Sequence, residues 1–182
     1  YIDSGAMYRA VTLFFLENRV DLYDQQQILD NLHKLEVSFV LAETGNRTLL
    51  NGLDVEERIR EMDVAAKVSP VATIPEVRRK MVKRQRELAQ NQGVVMDGRD
   101  IGSVVFPNAA LKIFLTATVD RRVERRQRQL FEQGHVIDYE DILHNLYERD
   151  YIDSTRSDSP LMKAPDAIVI DNSNLSPEEQ LA

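Results

Sequence analysis

Three short apolar runs constrain this chain more than any other feature: Val94-Val95-Met96-Asp97, Leu111-Lys112-Ile113-Phe114-Leu115 and Ala167-Ile168-Val169-Ile170-Asp171. Each is nearly continuous rather than alternating, the pattern of a strand buried on both faces of a parallel sheet. Between the second and third runs lie an arginine-rich helical segment over about 119–133 and another over about 140–149. Parallel strands need long crossover connections, which helices supply, so the order of elements predicts an α/β fold.

Ahead of these runs the pattern changes twice. Asp3-Ser4-Gly5 followed by Ala6-Met7-Tyr8-Arg9-Ala10-Val11-Thr12-Leu13 reads as a capped helix with apolar residues at helical spacing. A second helix is expected over 25–32. Leu35 to Val40 then alternates as a strand, Glu43 to Arg47 reads as a turn, and Thr48-Leu49-Leu50 is a second strand followed by the tight-turn pair Asn51-Gly52. These predict a small antiparallel sheet inserted between helices. Helices resume over 56–60 and 64–69, Pro70 marks a break, and a long helix runs from Pro75 to Gln90, with Pro at its favoured first position. Met7 and Met96 read as core filler, and Arg84 and Arg86 as solvated residues with snorkelling stems. Near the end, Ser176-Pro177-Glu178-Glu179 carries the cap, first-turn Pro and capping-box Glu of a helix, but the sequence stops at Ala182. Together with a first residue that is Tyr1, this predicts a piece incomplete at both ends.

Composition narrows the chemistry. The 182 residues include no Cys, so thiolate metal sites and cysteine nucleophiles are excluded, and the three scattered His give no zinc pattern. No apolar run approaches the ~20 residues of a membrane span, and the reading is a cytoplasmic protein without membrane attachment. A net charge of -7 argues against nucleic acid as partner. The arginines are nevertheless concentrated, at Arg78, Arg79, Arg84 and Arg86, and at Arg121, Arg122, Arg125, Arg126 and Arg128. Guanidinium groups gathered on an acidic protein suit a small phosphorylated ligand.

Ligands of open parallel sheets bind at the carboxyl ends of the strands. After the first apolar run comes Asp97-Gly98-Arg99-Asp100-Ile101-Gly102, two carboxylates and a guanidinium set between glycines. On spacing alone the same residues also suit a surface loop whose Arg and Asp pair with each other. Arg149, Asp153 and Arg156 stand at i, i+4 and i+7, one face of a helix, closed by Ser159-Pro160. That face fits a mobile flap or a solvated ion-pair ladder.

Four stretches in order, Tyr1-Ile-Asp-Ser-Gly-Ala-Met-Tyr-Arg9, Asp97-Gly-Arg-Asp-Ile-Gly-Ser-Val-Val-Phe-Pro107, Leu111-Lys-Ile-Phe-Leu-Thr-Ala117 and Arg149-Asp-Tyr-Ile-Asp-Ser-Thr-Arg156, resemble the bacterial-type cytidylate kinases. The similarity spans essentially the whole chain. It implies a three-layer nucleoside monophosphate kinase-like parallel sheet of the P-loop NTPase class, carrying a small inserted antiparallel sheet. Residues 1–32 and 90–182 would form the core, 33–89 the nucleotide-monophosphate-binding insertion and 122–160 a lid. The family's glycine-rich phosphate loop, ending in Gly-Lys and a hydroxyl residue, does not occur among these residues. The family pattern would place it just ahead of Tyr1.

The resemblance implies transfer of the ATP γ-phosphate to CMP or dCMP by a monomer, with Mg²⁺ entering with ATP and no metal ligand in this stretch. Arg9 and Arg99 would grip the CMP phosphate. Asp100, Arg78 and Ser69 would read cytosine, and Ser4 would line the pocket. Asp153 and Arg149 would hold the ribose hydroxyls, and Arg156 would approach base and phosphates as the flap closes. Arg99, Arg149 and Arg156 form the catalytic set, while Arg122 and Arg125 would meet ATP phosphates from the lid. The alternative is a non-catalytic nucleotide-binding module.

Overall fold

In the computed structural model, the described residues are all of 1–182 except Thr44, Asn91, Gln92, Gln133 and Ala182. Those five touch three expectations, the turn at Thr44, the helix end at Gln133 and the stop at Ala182, and these lie outside the described residues.

The chain opens with strand β1 (Ile2–Asp3) and runs directly into α1 (Ser4–Glu17). Asp3 does two jobs at this junction. It ends the strand, and its side chain accepts from the Ala6 backbone N–H at 2.9 Å, capping the helix. Helix α1 is buried almost all round, through Ala6, Met7, Ala10, Val11, Leu13 and Phe15. It is therefore the centre of the main core, where α3 (Met62–Thr73) and α4 (Pro75–Leu88) pack against it. Helix α2 (Gln25–Lys34) buries only Ile28 and Leu32.

The inserted antiparallel sheet is present as β2 (Val37–Ala42), β3 (Gly45–Leu50) and β4 (Leu53–Asp54). Asn51 and Gly52 join the last two with φ of 50° and 80°, the left-handed pair that a two-residue hairpin turn requires. Gly45 to Arg47, expected in a turn, instead pair with Val40 to Ala42. Helix α3 continues one turn beyond the expected break. Pro70 sits inside it, nine residues along, rather than ending it.

Two parallel pairs carry the carboxyl-end loops. β1 pairs with β5 (Met96–Asp97), and β6 (Ile113–Thr116) pairs with β7 (Ile168–Asp171). Helices α5 (Val119–Glu132) and α6 (Tyr139–Thr155) form the crossover of the second pair and enclose a smaller core of Val123, Leu130 and Ile142. The runs read as buried on both faces are not so in the second pair: Ile113, Leu115 and Ile168 are each at least half exposed. Among the described residues no further strand pairs with either side of β6 and β7. No helix is long and apolar enough to cross a membrane. The capping box at the end is formed, with Ser176 accepting from the Glu179 N–H and Glu179 from that of Ser176, ahead of α7 (Pro177–Leu181).

Candidate active site

The carboxyl ends of β1 and β5 bring two carboxylates side by side, since Asp3 and Asp97 are register partners. Asp3 pairs with Arg9 at 2.8 Å, one turn and a half into α1. Asp97 accepts from the Tyr1 hydroxyl at 2.8 Å, and burial raises its carboxyl above the ordinary value. Gly98 follows because nothing larger fits: a Cβ there would stand 2.2 Å from the Ser4 hydroxyl oxygen. Ser4 is thus buried at the strand-to-helix junction, against the turn that carries Arg99 and Asp100.

After that turn the chain enters a short π-helical turn, Ile101–Val105, in which the Asp100 carbonyl accepts from the N–H groups of Val104 and Val105. The wide turn sets Asp100 inward. Its carboxylate, 4% exposed, forms an ion pair with Arg78, 1% exposed, from α4. The Arg78 guanidinium lies 5.5 Å over the Tyr8 ring and 3.8 Å from Asp158. Tyr8 is itself buried, its hydroxyl has no hydrogen-bond partner among the described residues, and burial pushes its pKa up to about 12.

A second buried carboxylate continues the network. Asp153, on α6, accepts from Arg156 at 3.0 Å through one oxygen and from Arg99 at 3.0 Å through the other. Arg156 caps that helix and also donates to the Ser159 carbonyl at 2.8 Å. Burial first, and the nearby Arg78 guanidinium second, hold its pKa below the usual value. The expected i, i+4, i+7 face therefore exists, but it is packed against the Asp100 turn rather than solvated.

Beside this network lies a cavity of about 470 Å³, lined by Arg9, Ser69, Arg126 and Arg149 among others. Arg149 makes no hydrogen bond or ion pair among the described residues. Burial, then the charge of Arg99, pushes its pKa down, with Arg9 and Arg126 adding to the effect. Arg126 is lowered likewise by burial and by Arg9. Arg149 thus feels the like charges of Arg99, Arg9 and Arg126. The cavity wall carries four arginines, Arg9, Arg60, Arg126 and Arg149, against the two carboxylates of Asp141 and Glu148, an excess of positive charge that an entering anion would relieve.

Nine of the eleven expected site residues, Ser4, Arg9, Ser69, Arg78, Arg99, Asp100, Arg149, Asp153 and Arg156, fall in the network, beside it or along the cavity wall. Arg122 and Arg125 do not reach the cavity. Arg122 pairs with Asp150, and Arg125 donates to the side chain and carbonyl of Asn172 at 2.9 and 2.6 Å. The residue of that helix which does line the cavity is Arg126. It follows the buried Val123 by three and precedes the buried Leu130 by four, and that spacing could have singled it out. Tyr8 and Asp158 were also missed. Arg84 and Arg86 are not simply solvated: Arg84 donates to the Val37 carbonyl, and Arg86 to those of Val104 and Val105.

The cytidylate kinase family model matches residues 1–182. The chain belongs to the cytidylate kinase family. It is 50% identical over 187 residues to a cytidylate kinase of Parabacteroides distasonis, covering all of this chain and 82% of that protein. It is 48% identical to one of Flavobacterium johnsoniae and 44% to one of Carboxydothermus hydrogenoformans, covering 81% and 82% of those proteins and all of this chain. With cytidylate kinase membership comes the nucleoside monophosphate kinase fold of the P-loop NTPases, to which the helical crossovers, parallel pairs and inserted antiparallel sheet correspond.

Proposed function

We propose that this chain acts as an ATP:CMP phosphotransferase, which converts CMP or dCMP to the diphosphate with release of ADP. The observation that carries this reading is the buried Arg78–Asp100 pair standing beside an excess of guanidinium groups. A carboxylate accepts from the exocyclic amine of cytosine, and a guanidinium donates to ring N3 and O2. Uracil presents the opposite polarity at N3 and position 4, so a site of this kind leaves buried groups unpaired when uracil enters.

Ser69 joins Arg78 and Asp100 in reading the base, and Ser4 lines the pocket. Arg9 and Arg99 grip the CMP phosphate through paired N–H groups. Asp153 and Arg149 hold the ribose hydroxyls. Arg156 bridges the base and phosphate ends of the site, because it already joins the Asp153 carboxylate to the 156–159 turn. Arg126 serves the transferring phosphate with Arg149, and Arg122 and Arg125 reach ATP phosphates when the lid over 122–160 closes. Residues 33–89 form the monophosphate-binding insertion, on a core of 1–32 and 90–182.

Phosphoryl transfer asks a protein mainly for position and neutralisation, since the charge of the moving group is spread over its oxygens. The attacking oxygen belongs to the CMP phosphate, so no side chain needs to act as nucleophile. Arg99, Arg149 and Arg156 neutralise and align, and closure of the lid excludes water. The charged groups around the cavity are mainly cationic, four arginines against Asp141 and Glu148, which suits phosphate oxygens. Mg²⁺ entering with ATP on those oxygens supplies further neutralisation. The same reading makes the protein a cytoplasmic monomer.

The test is turnover by the complete gene product with Mg²⁺-ATP and CMP, dCMP, UMP or AMP as acceptor. CMP and dCMP are expected to be preferred, with activity lost in Arg99→Met and Arg156→Met. Preference for AMP or UMP would overturn the cytosine assignment. CMP binding with no phosphoryl transfer would favour a non-catalytic nucleotide-binding module.

A further inference from the structure

Helix α4 grips the π-turn at two points. Near its start, Arg78 pairs with the side chain of Asp100, the residue that begins the turn. Eight residues later, about 12 Å along the helix, Arg86 reaches the other end. Its Nε donates to the Val105 carbonyl at 3.0 Å and its Nη2 to the Val104 carbonyl at 2.8 Å. Carbonyls at the carboxyl end of a helical turn lack partners of their own and carry partial negative charge, so a forked cation is suited to them. At the amino end, the Asp100 carbonyl already takes the N–H groups of Val104 and Val105. The turn is therefore a single hydrogen-bonded unit, and holding its last two carbonyls fixes the backbone from which the Asp100 side chain projects.

We propose that Arg86 is a positioning residue for base selection. It holds the 101–105 turn against α4 so that Asp100 meets Arg78 in the geometry that favours cytosine over uracil. The proposal rests on the assignment of Asp100 and Arg78 to the base. Arg86 has no hydrogen bond to Asp100 and does not line the 470 Å³ cavity. It borders a separate one with Arg78, Val104 and Asp158, and its two hydrogen bonds to the turn are its link to the Asp100 backbone. Arg84, on the same helix, gives a matched control. It donates to the Val37 carbonyl in the antiparallel sheet and has no bond to the turn.

Calorimetric titration with CMP and with UMP, on the wild-type chain, Arg86→Ala, Arg86→Lys and Arg84→Ala, tests this. Arg86→Ala should weaken CMP binding and lower the CMP-to-UMP affinity ratio about tenfold, the scale of one charge-assisted hydrogen bond. Arg86→Lys, able to reach one carbonyl but not to span both, should recover part of the ratio. Arg84→Ala should leave the ratio at its wild-type value. A ratio unchanged in folded Arg86→Ala, with wild-type discrimination intact, overturns the proposal alone. Should Arg86→Ala lose its cooperative melt, an unchanged ratio in Arg86→Lys has the same force. Equal affinities for CMP and UMP in the wild-type chain would instead overturn the base assignment beneath it.

Discussion

The Arg78 guanidinium and the Asp100 carboxylate form an ion pair within the protein interior, joining α4 to the turn after β5. Removing one member of such a pair strands the other charge in a medium that solvates it poorly. Arg78→Met alone is expected to lower stability by about 3–5 kcal/mol, whereas Arg78→Met combined with Asp100→Leu should cost distinctly less. Urea denaturation of both singles and the double gives the coupling. Additive losses would show that the two side chains do not depend on each other.

Tyr8 gives a pH signature. Its hydroxyl has no partner among the described residues, so Tyr8→Phe forfeits no hydrogen bond to them and should leave stability near pH 7 almost unchanged. At high pH the two proteins should differ. Burial raises the folded pKa to about 12 from the ordinary tyrosine value of 10.0, so the folded state keeps a proton that the unfolded state releases. Stability from this group is fully present below pH ~10 and is lost progressively as pH rises towards ~12, by roughly 2 kcal/mol. The wild type should therefore weaken more steeply than Tyr8→Phe across that window. Parallel curves would show that Tyr8 is not shielded.

Gly98 and Ser4 offer a steric test. A methyl group on Gly98 would meet the Ser4 oxygen at 2.2 Å and Ile101 at 2.9 Å. Gly98→Ala should cost about 1–3 kcal/mol, as overpacking does, and Ser4→Ala added to it should return part of that loss. Thermal melts of the single and double variants decide it. A neutral Gly98→Ala would mean that the turn lies further from α1.

Arg149 should trade stability against binding. It has no ion-pair partner among the described residues, and burial and Arg99 disfavour its charge. Arg149→Met is expected to melt at or above the wild-type temperature while CMP affinity drops tenfold or more. A variant that loses stability and keeps its affinity would place Arg149 in a structural role.

Much of this was legible from the residues. Pro75 opening α4, Asn51-Gly52 turning a hairpin and Ser176 with Glu179 capping α7 are local rules, satisfied within a few residues. Strand β1 was not legible, because two residues hold no period and Asp3 also reads as a cap. Pro70 marked a break that packing of Val64, Val68 and Val71 overrode. The carboxylates and guanidiniums were identifiable as a set, but their pairing was not. Which oxygen of Asp153 faces Arg99, and that Arg86 grips a π-turn, depend on contacts between stretches 54 and 18–19 residues apart. Neither hydrophobic period nor turn chemistry encodes those distances.

In the proposed function, the Arg78–Asp100 pair and the guanidiniums beside it bind a cytosine mononucleotide. Calorimetric titration of the chain with CMP and UMP side by side tests it most directly. One site is expected, taking CMP at least about a hundredfold more tightly than UMP, since uracil leaves buried polar groups unpaired. Equal heats and affinities for the two, or CMP binding unaltered in Asp100→Leu, would contradict it.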